Sequence, residues 1–218
     1  MDYLTKLDAC IRQNHSALGL RLDILAAKMP LPFARTDDPV LPFAQALIDA
    51  TRDVVAAYVL DPAYYLSEGA PGMIALERIT RYVPDEVPIV LDTRFGLLGD
   101  SAVHAARGAF EAFHADAVTF SVPPDPRTLD AFLNYPGNLL FIPGVIATAD
   151  QIGALIETGD ELRSIDTTKP CFIRQSARPD RATTLNGLTV VESDPHLIYA
   201  SRRDDFAAAV RAAVLAAA

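Results

Sequence analysis

The sequence predicts a parallel α/β fold, and three observations carry that prediction. Short, continuously apolar segments recur along the chain. Helix-period segments separate several of them. The apolar segments show little in/out alternation, as expected of strands buried on both faces. Seven or eight such strands suit a closed (β/α)8 barrel or a doubly wound sheet. A barrel usually takes about 250 residues, so the 218 residues here are tight.

In chain order, a helix over Asp2 to Asn14 precedes a first strand at Ala17 to Leu22. Pro30 to Pro42 holds four prolines and two aspartates and reads as a surface loop. A helix over Pro42 to Asp53 leads into a second strand, Val54 to Leu60. Met73, Leu76 and Ile79 give Gly72 to Arg81 a helical spacing, followed by a third strand at Val87 to Leu91. A helix over Ala102 to Phe113 precedes a fourth strand at Ala117 to Val122, and a fifth lies at Asn138 to Ile142. Ala149 to Thr158 reads as a helix, with a weak strand near Leu162 to Ile165. Strands at Cys171 to Arg174 and Leu188 to Val191 and an alanine-rich helix over Phe206 to Ala218 complete the order. Little room remains between Asn138 and Val191 for complete crossover helices. No linker or internal repeat divides the chain, so residues 1–218 read as one domain.

Composition narrows the function classes. Half of the residues are hydrophobic and 22% are charged, a globular balance. The formal net charge is −9 with no dense Lys/Arg run, which disfavours nucleic-acid binding but leaves room for a local anion pocket. Cys10 and Cys171 are too few for a disulfide framework and read as buried thiols in a reducing compartment. The N-terminus lacks a basic region followed by an apolar core. Apolar stretches are broken before the roughly 18 residues of a membrane span. The expectation is a soluble cytoplasmic protein without membrane contact.

In parallel α/β folds chemistry gathers just after the strand C-termini. Asp23, Asp61 and Asp92 follow the first three strands, with Arg94 two residues beyond. Ser121 to Asp125, Arg174 to Ser176, and Glu192 to Asp194 follow later ones. A single strand-end Asp commonly caps the next helix; three after consecutive strands point to a polar pocket. His15, His104, His114 and His196 form no metal-spaced pair, so no metal site is expected. No dinucleotide fingerprint, phosphate-loop lysine motif or nucleophile elbow occurs.

The stretch from Tyr58 to Arg78, YVLDPAYYLSEGAPGMIALER, resembles the second strand and following helix of orotidine 5'-phosphate decarboxylases, most closely their bacterial branch. Leu18 to Asp23 resembles the family's first strand, and Phe43 to Asp53 its next helix. Pro88 to Ala102, PIVLDTRFGLLGDSA, is similar to the signature D-x-K-R-G-D-I-G-x-T-A. Asp116 to Ser121, Phe132 to Gly137 and Leu197 to Arg211 continue in order. The resemblance implies a dimeric (β/α)8 TIM barrel with active sites at the interface. It implies decarboxylation of orotidine 5'-phosphate to UMP, without cofactor or metal, by an alternating Lys-Asp-Lys-Asp array.

Carried over residue by residue, that array reads Val59, Asp92, Arg94 and Leu97, so only the first aspartate is kept. An arginine holds its proton too tightly to serve as the acid that a developing carbanion needs. The family's glycine-rich phosphate loop reads Ile173 to Asp180 here, without its glycines. Asp92 and Arg94 are therefore the expected remnants of the catalytic set. Asp23, Asp61, Ser101, Ser121, Arg174, Gln175 and Arg178 are the expected ligand-binding residues. A nucleotide or other small anion is the expected ligand, and a homodimer the expected assembly, with Gly96, Leu97, Leu98 and Ser101 at the contact. Catalysis is expected to be lost, the alternative being altered chemistry in the same pocket. The short run from Gly144 to Cys171 predicts a barrel trimmed around strand six and the helices after it.

Overall fold

A computed structural model describes residues 1–33, 36–96, 98–144, 151–156, 170–174 and 188–218. Eight parallel strands close into a barrel in sequence order: β1 Leu18–Arg21, β2 Ala57–Leu60, β3 Ile89–Phe95, β4 Ala117–Phe120, β5 Leu139–Pro143, β6 Ile152–Ile156, β7 Cys171–Ile173 and β8 Thr189–Glu192. Closure is made by β1 on β8, where Leu18 lies beside Val191 and Gly19 beside Glu192. The doubly wound alternative is thereby excluded.

The outer layer contains α2 Val40–Thr51, α3 Pro62–Leu66, α4 Gly69–Tyr82, α5 Ala102–Arg107, α6 Pro126–Leu133 and α7 Phe206–Ala217. Leu20, Leu22, Tyr58, Leu60, Leu91 and Phe120 on the strands' outer faces pack against Phe43, Leu47, Leu76, Ile79, Phe132 and Val210 of those helices. α6 was not among the expected helices. Its signal is Asp125-Pro126: the Asp125 carboxylate accepts from Arg127 N and Thr128 N, and proline occupies the first turn, where its missing N–H costs nothing.

The preceding helix, α1 Tyr3–Asn14, lies across the N-terminal end of the barrel. Four of its ties go to residues just before strands. Tyr3 N donates to Gly137 O, Lys6 pairs with Asp116 at 2.7 Å, Cys10 Sγ reaches Glu86 O, and Asn14 donates to Val55 O. Tyr3 and Leu7 join Val59, Val90, Ala117, Leu139, Phe141, Leu155, Phe172 and Val190 in the barrel interior. The lower barrel is thus solid, and chemistry is confined to the C-terminal mouth.

The last third departs from expectation. Within the expected helix Ala149 to Thr158, the described residues 152–156 form β6, paired with β5 and β7. Ile-Gly-Ala-Leu-Ile is too short for its periodicity to separate strand from helix. Gly153 gives the physical reason for the placement: a Cβ there would meet the Phe141 ring at 2.9 Å, so only glycine lets β6 lie this close to β5. Strand six is present, not trimmed away. The trimming falls on the connection before it, since only residues 144–151 join β5 to β6. Among the described residues no helix lies between β5 and β8. The weak strand at Leu162 to Ile165 lies outside the described residues.

Candidate active site

The barrel mouth is built from residues that follow the apolar inner layers. Arg21 closes β1, and Asp23 and Asp61 follow β1 and β2. Asp92 and Arg94 lie on β3, Thr119 on β4, Arg174 after β7 and Glu192 at the end of β8. All but Asp61 and Arg94 are buried.

Asp92 is the hub. Arg174 donates to both its oxygens at 2.8 Å, a bidentate fork. Arg94 donates through Nε at 3.2 Å and Nη2 at 3.0 Å, Arg21 through Nη1 at 3.2 Å, and the Thr119 hydroxyl at 2.7 Å. Burial on its own would raise the Asp92 pKa. The hydrogen bonds and charges of Arg174 and Arg94 outweigh it and hold the carboxyl well below the usual carboxylate range.

Arg21 binds Asp23 through Nε and contacts Glu192 through Nη1. Asp23 also accepts from Asp61 N at 3.0 Å. Burial dominates at Asp23: despite the opposing charge of Arg21, its pKa is pushed up to about 6. Asp61 is the helix cap that a lone strand-end Asp suggests, accepting from Ala63 N at the start of α3. It also stands 3.7 Å from Arg21 and 3.9 Å from Arg94.

The end of β3 is irregular. Register with β4 shifts between Leu91 and Phe95, and Arg94 takes a left-handed backbone with φ 47°. A non-glycine residue pays strain for that conformation. Its backbone N donates to Thr119 Oγ1 at 3.1 Å, and Thr93 Oγ1 donates to Thr119 O at 2.9 Å. Asp92 and Arg94, two positions apart on β3, meet through the Arg94 guanidinium. Burial would loosen the Arg94 proton, but Asp92 and Asp61 hold it more tightly than usual.

Of the expected site residues, Asp23, Asp61, Asp92, Arg94 and Arg174 are brought together. Ser101 is exposed on a turn before α5 and makes no side-chain hydrogen bond among the described residues. Ser121 is exposed, and its hydroxyl donates to Phe95 O at 3.3 Å. Neither joins the mouth cluster. Val59 is fully buried within the barrel interior. Leu97, Gln175 and Arg178 lie outside the described residues. Arg21 and Glu192 complete the cluster. In the sequence Glu192 shows only as a strand end, and Arg21 is not among the expected site residues. Its signal is a charged residue between Leu20 and Leu22 inside an otherwise apolar strand. Among the described residues no group of His, Cys, Asp and Glu is placed to hold a metal ion, and no helix is long and apolar enough to cross a membrane.

No family model matches the chain. It is 32% identical over 142 residues to orotidine 5'-phosphate decarboxylase of Thermomicrobium roseum, covering 65% of this chain and 50% of that one. It is 36% identical over 140 residues to the Cupriavidus metallidurans protein of the same name, covering 63% and 51%. The chain thus spans about half the length of these curated relatives. Among solved structures, Leishmania donovani OMP decarboxylase superposes with a TM-score of 0.71 at 20% identity, covering 100% of both chains. Plasmodium berghei orotidine 5'-monophosphate decarboxylase gives 0.76 at 11% identity, covering 97% and 96%. Both share this fold. The chain is thus similar in sequence, over about 140 residues, to orotidine 5'-phosphate decarboxylases and shares the fold of OMP decarboxylase structures.

Proposed function

We propose that this protein keeps the barrel and mouth of a decarboxylase but does not decarboxylate orotidine 5'-phosphate. The observation that carries this reading is the saturation of Asp92 by guanidinium groups where the resemblance implies a lysine–carboxylate array. Loss of CO2 from the pyrimidine ring leaves a carbanion that must be stabilised and then protonated. A lysine ammonium does both, whereas a guanidinium retains its proton above a pKa of about 12. Lys6 pairs with Asp116 at the opposite end of the barrel. Lys28 approaches His196 Nδ1 at 3.2 Å on the exposed rim. Lys169, the third and last lysine of the chain, lies outside the described residues.

The cytoplasm is the expected location and a homodimer the expected form. Support for the dimer comes from exposed apolar side chains on consecutive βα units: Leu66 on α3, Ile74 on α4, Val103 on α5 and Val122 after β4. Apolar side chains left exposed on neighbouring elements suit a contact with another chain. A second reading, altered chemistry on a small anion in the same pocket, is favoured by the half-exposed guanidinium of Arg94.

The test is release of labelled CO2 from orotidine 5'-phosphate by the purified protein. No turnover above a preparation lacking the protein is expected. Turnover above that background would overturn the reading.

A further inference from the structure

We propose that Arg94 is a receptor for the carboxylate of a small organic acid, so that the mouth retains a carboxylated ligand instead of removing its carboxylate. The inference rests on the absence of decarboxylation proposed above, because a site that expelled the group would not hold it.

Three observations converge on Arg94. The first is availability. Its side chain is 53% exposed, against 5% for Arg21 and 8% for Arg174, and its Nη1 makes no hydrogen bond among the described residues. The second is the low cost of its departure from Asp92. Without Arg94, Asp92 still accepts from Arg174 on both oxygens, from Thr119 and from Arg21. No buried charge is left unpaired when Arg94 turns to a ligand. The third is a fixed root: the Arg94 backbone is tied to the Thr119 hydroxyl in a left-handed turn. Only the tip of the side chain has to move.

The chemistry selects the ligand. A guanidinium is a planar fork that matches a carboxylate with two parallel hydrogen bonds. Phosphate fits the same fork, but Asp61 lies 3.9 Å from Arg94 Nη2, and its charge repels a dianion more than a monoanion. A monocarboxylate is therefore the favoured occupant.

The experiment is calorimetric titration of the full chain with benzoate, orotate, uracil and inorganic phosphate. The proteins compared are wild type, Arg94→Gln and Arg94→Lys. Benzoate and orotate should bind the wild type and weaken by about tenfold or more in Arg94→Gln, with Arg94→Lys between them because it keeps the charge but loses the fork. Any binding of uracil, which lacks the carboxylate, should be independent of Arg94. The proposal is overturned if neither acid binds at millimolar concentration, if Arg94→Gln binds them as wild type does, or if phosphate binds as tightly as both. Should Arg94→Gln fail to fold, the Arg94→Lys comparison decides: affinity equal to wild type overturns the fork. Release of CO2 in the separate assay would overturn the proposed lack of turnover and leave these affinities to be judged by themselves.

Discussion

Arg174 and Asp92 face each other across the barrel, from β7 and β3, and meet in a two-point contact of 2.8 Å at each oxygen. Three strands lie between β3 and β7 either way around the ring, so the pair ties opposite walls of the mouth. Both side chains are buried. Such a pair adds little over well-packed apolar groups, yet breaking it leaves a charge stranded.

Removing one partner should therefore cost far more than removing both. Asp92→Ala should lose about 1.5–3 kcal/mol in urea unfolding, because the buried Arg174 gives up its two-point carboxylate contact while Arg21 keeps Asp23 and Glu192. Asp92→Leu combined with Arg174→Met should recover a substantial part of that loss. Additive losses in the double variant would contradict the strut.

Stability should respond to acid in two opposite ways. The Asp23 pKa is raised on folding to about 6, so its stabilising contribution is complete below the unfolded value near 3.8 and is lost as pH rises through about 6. The Tm of wild type minus that of Asp23→Asn should fall between pH 4 and pH 6. Asp92 is depressed, so its contribution is present above about 3.8 and is lost as pH falls further. The corresponding difference for Asp92→Asn should shrink below that value. A flat Asp23 difference would show that Arg21 overrides burial.

Restoring the first lysine should damage the fold without restoring turnover. Val59 is fully buried, and a Cβ on its neighbour Gly19 would already sit 3.0 Å from Val59 Cγ2 and 2.6 Å from Val190 Cγ1. Val59→Lys should cost at least about 2 kcal/mol through overpacking and a buried ammonium. Together with Arg94→Lys and Leu97→Asp it should still release no CO2 from orotidine 5'-phosphate. Turnover by that triple variant would mean that three side chains alone separate this mouth from an active one.

Residues whose role follows from their local stretch of chain were legible in the sequence. Leu20, Tyr58, Leu91 and Phe120 sit in apolar runs that mark strands, and Asp92 and Arg94 stand out just after such a run, in the C-terminal part of β3. Arg21 was not legible in that way. Its partners come from β1, β3 and β8, and the last of these becomes a neighbour only when the ring closes. β6 was missed for a related reason: Ile152 to Ile156 shows its nature through Gly153 against Phe141, a contact that no local pattern encodes. α6 has a local signal in Asp125-Pro126, a capping carboxylate followed by a first-turn proline.

The seam between β1 and β8 also bears on how the chain is made. Arg21 and Glu192 lie 171 positions apart, so their pair forms only after β8 has left the ribosome. Until then β1 is an open edge with unpaired N–H and C=O groups, able to recruit strands from other nascent chains. A charged arginine within that edge discourages such mispairing, because stacking copies would bring guanidinium groups together. In the closed ring the same side chain pairs across the seam with Glu192.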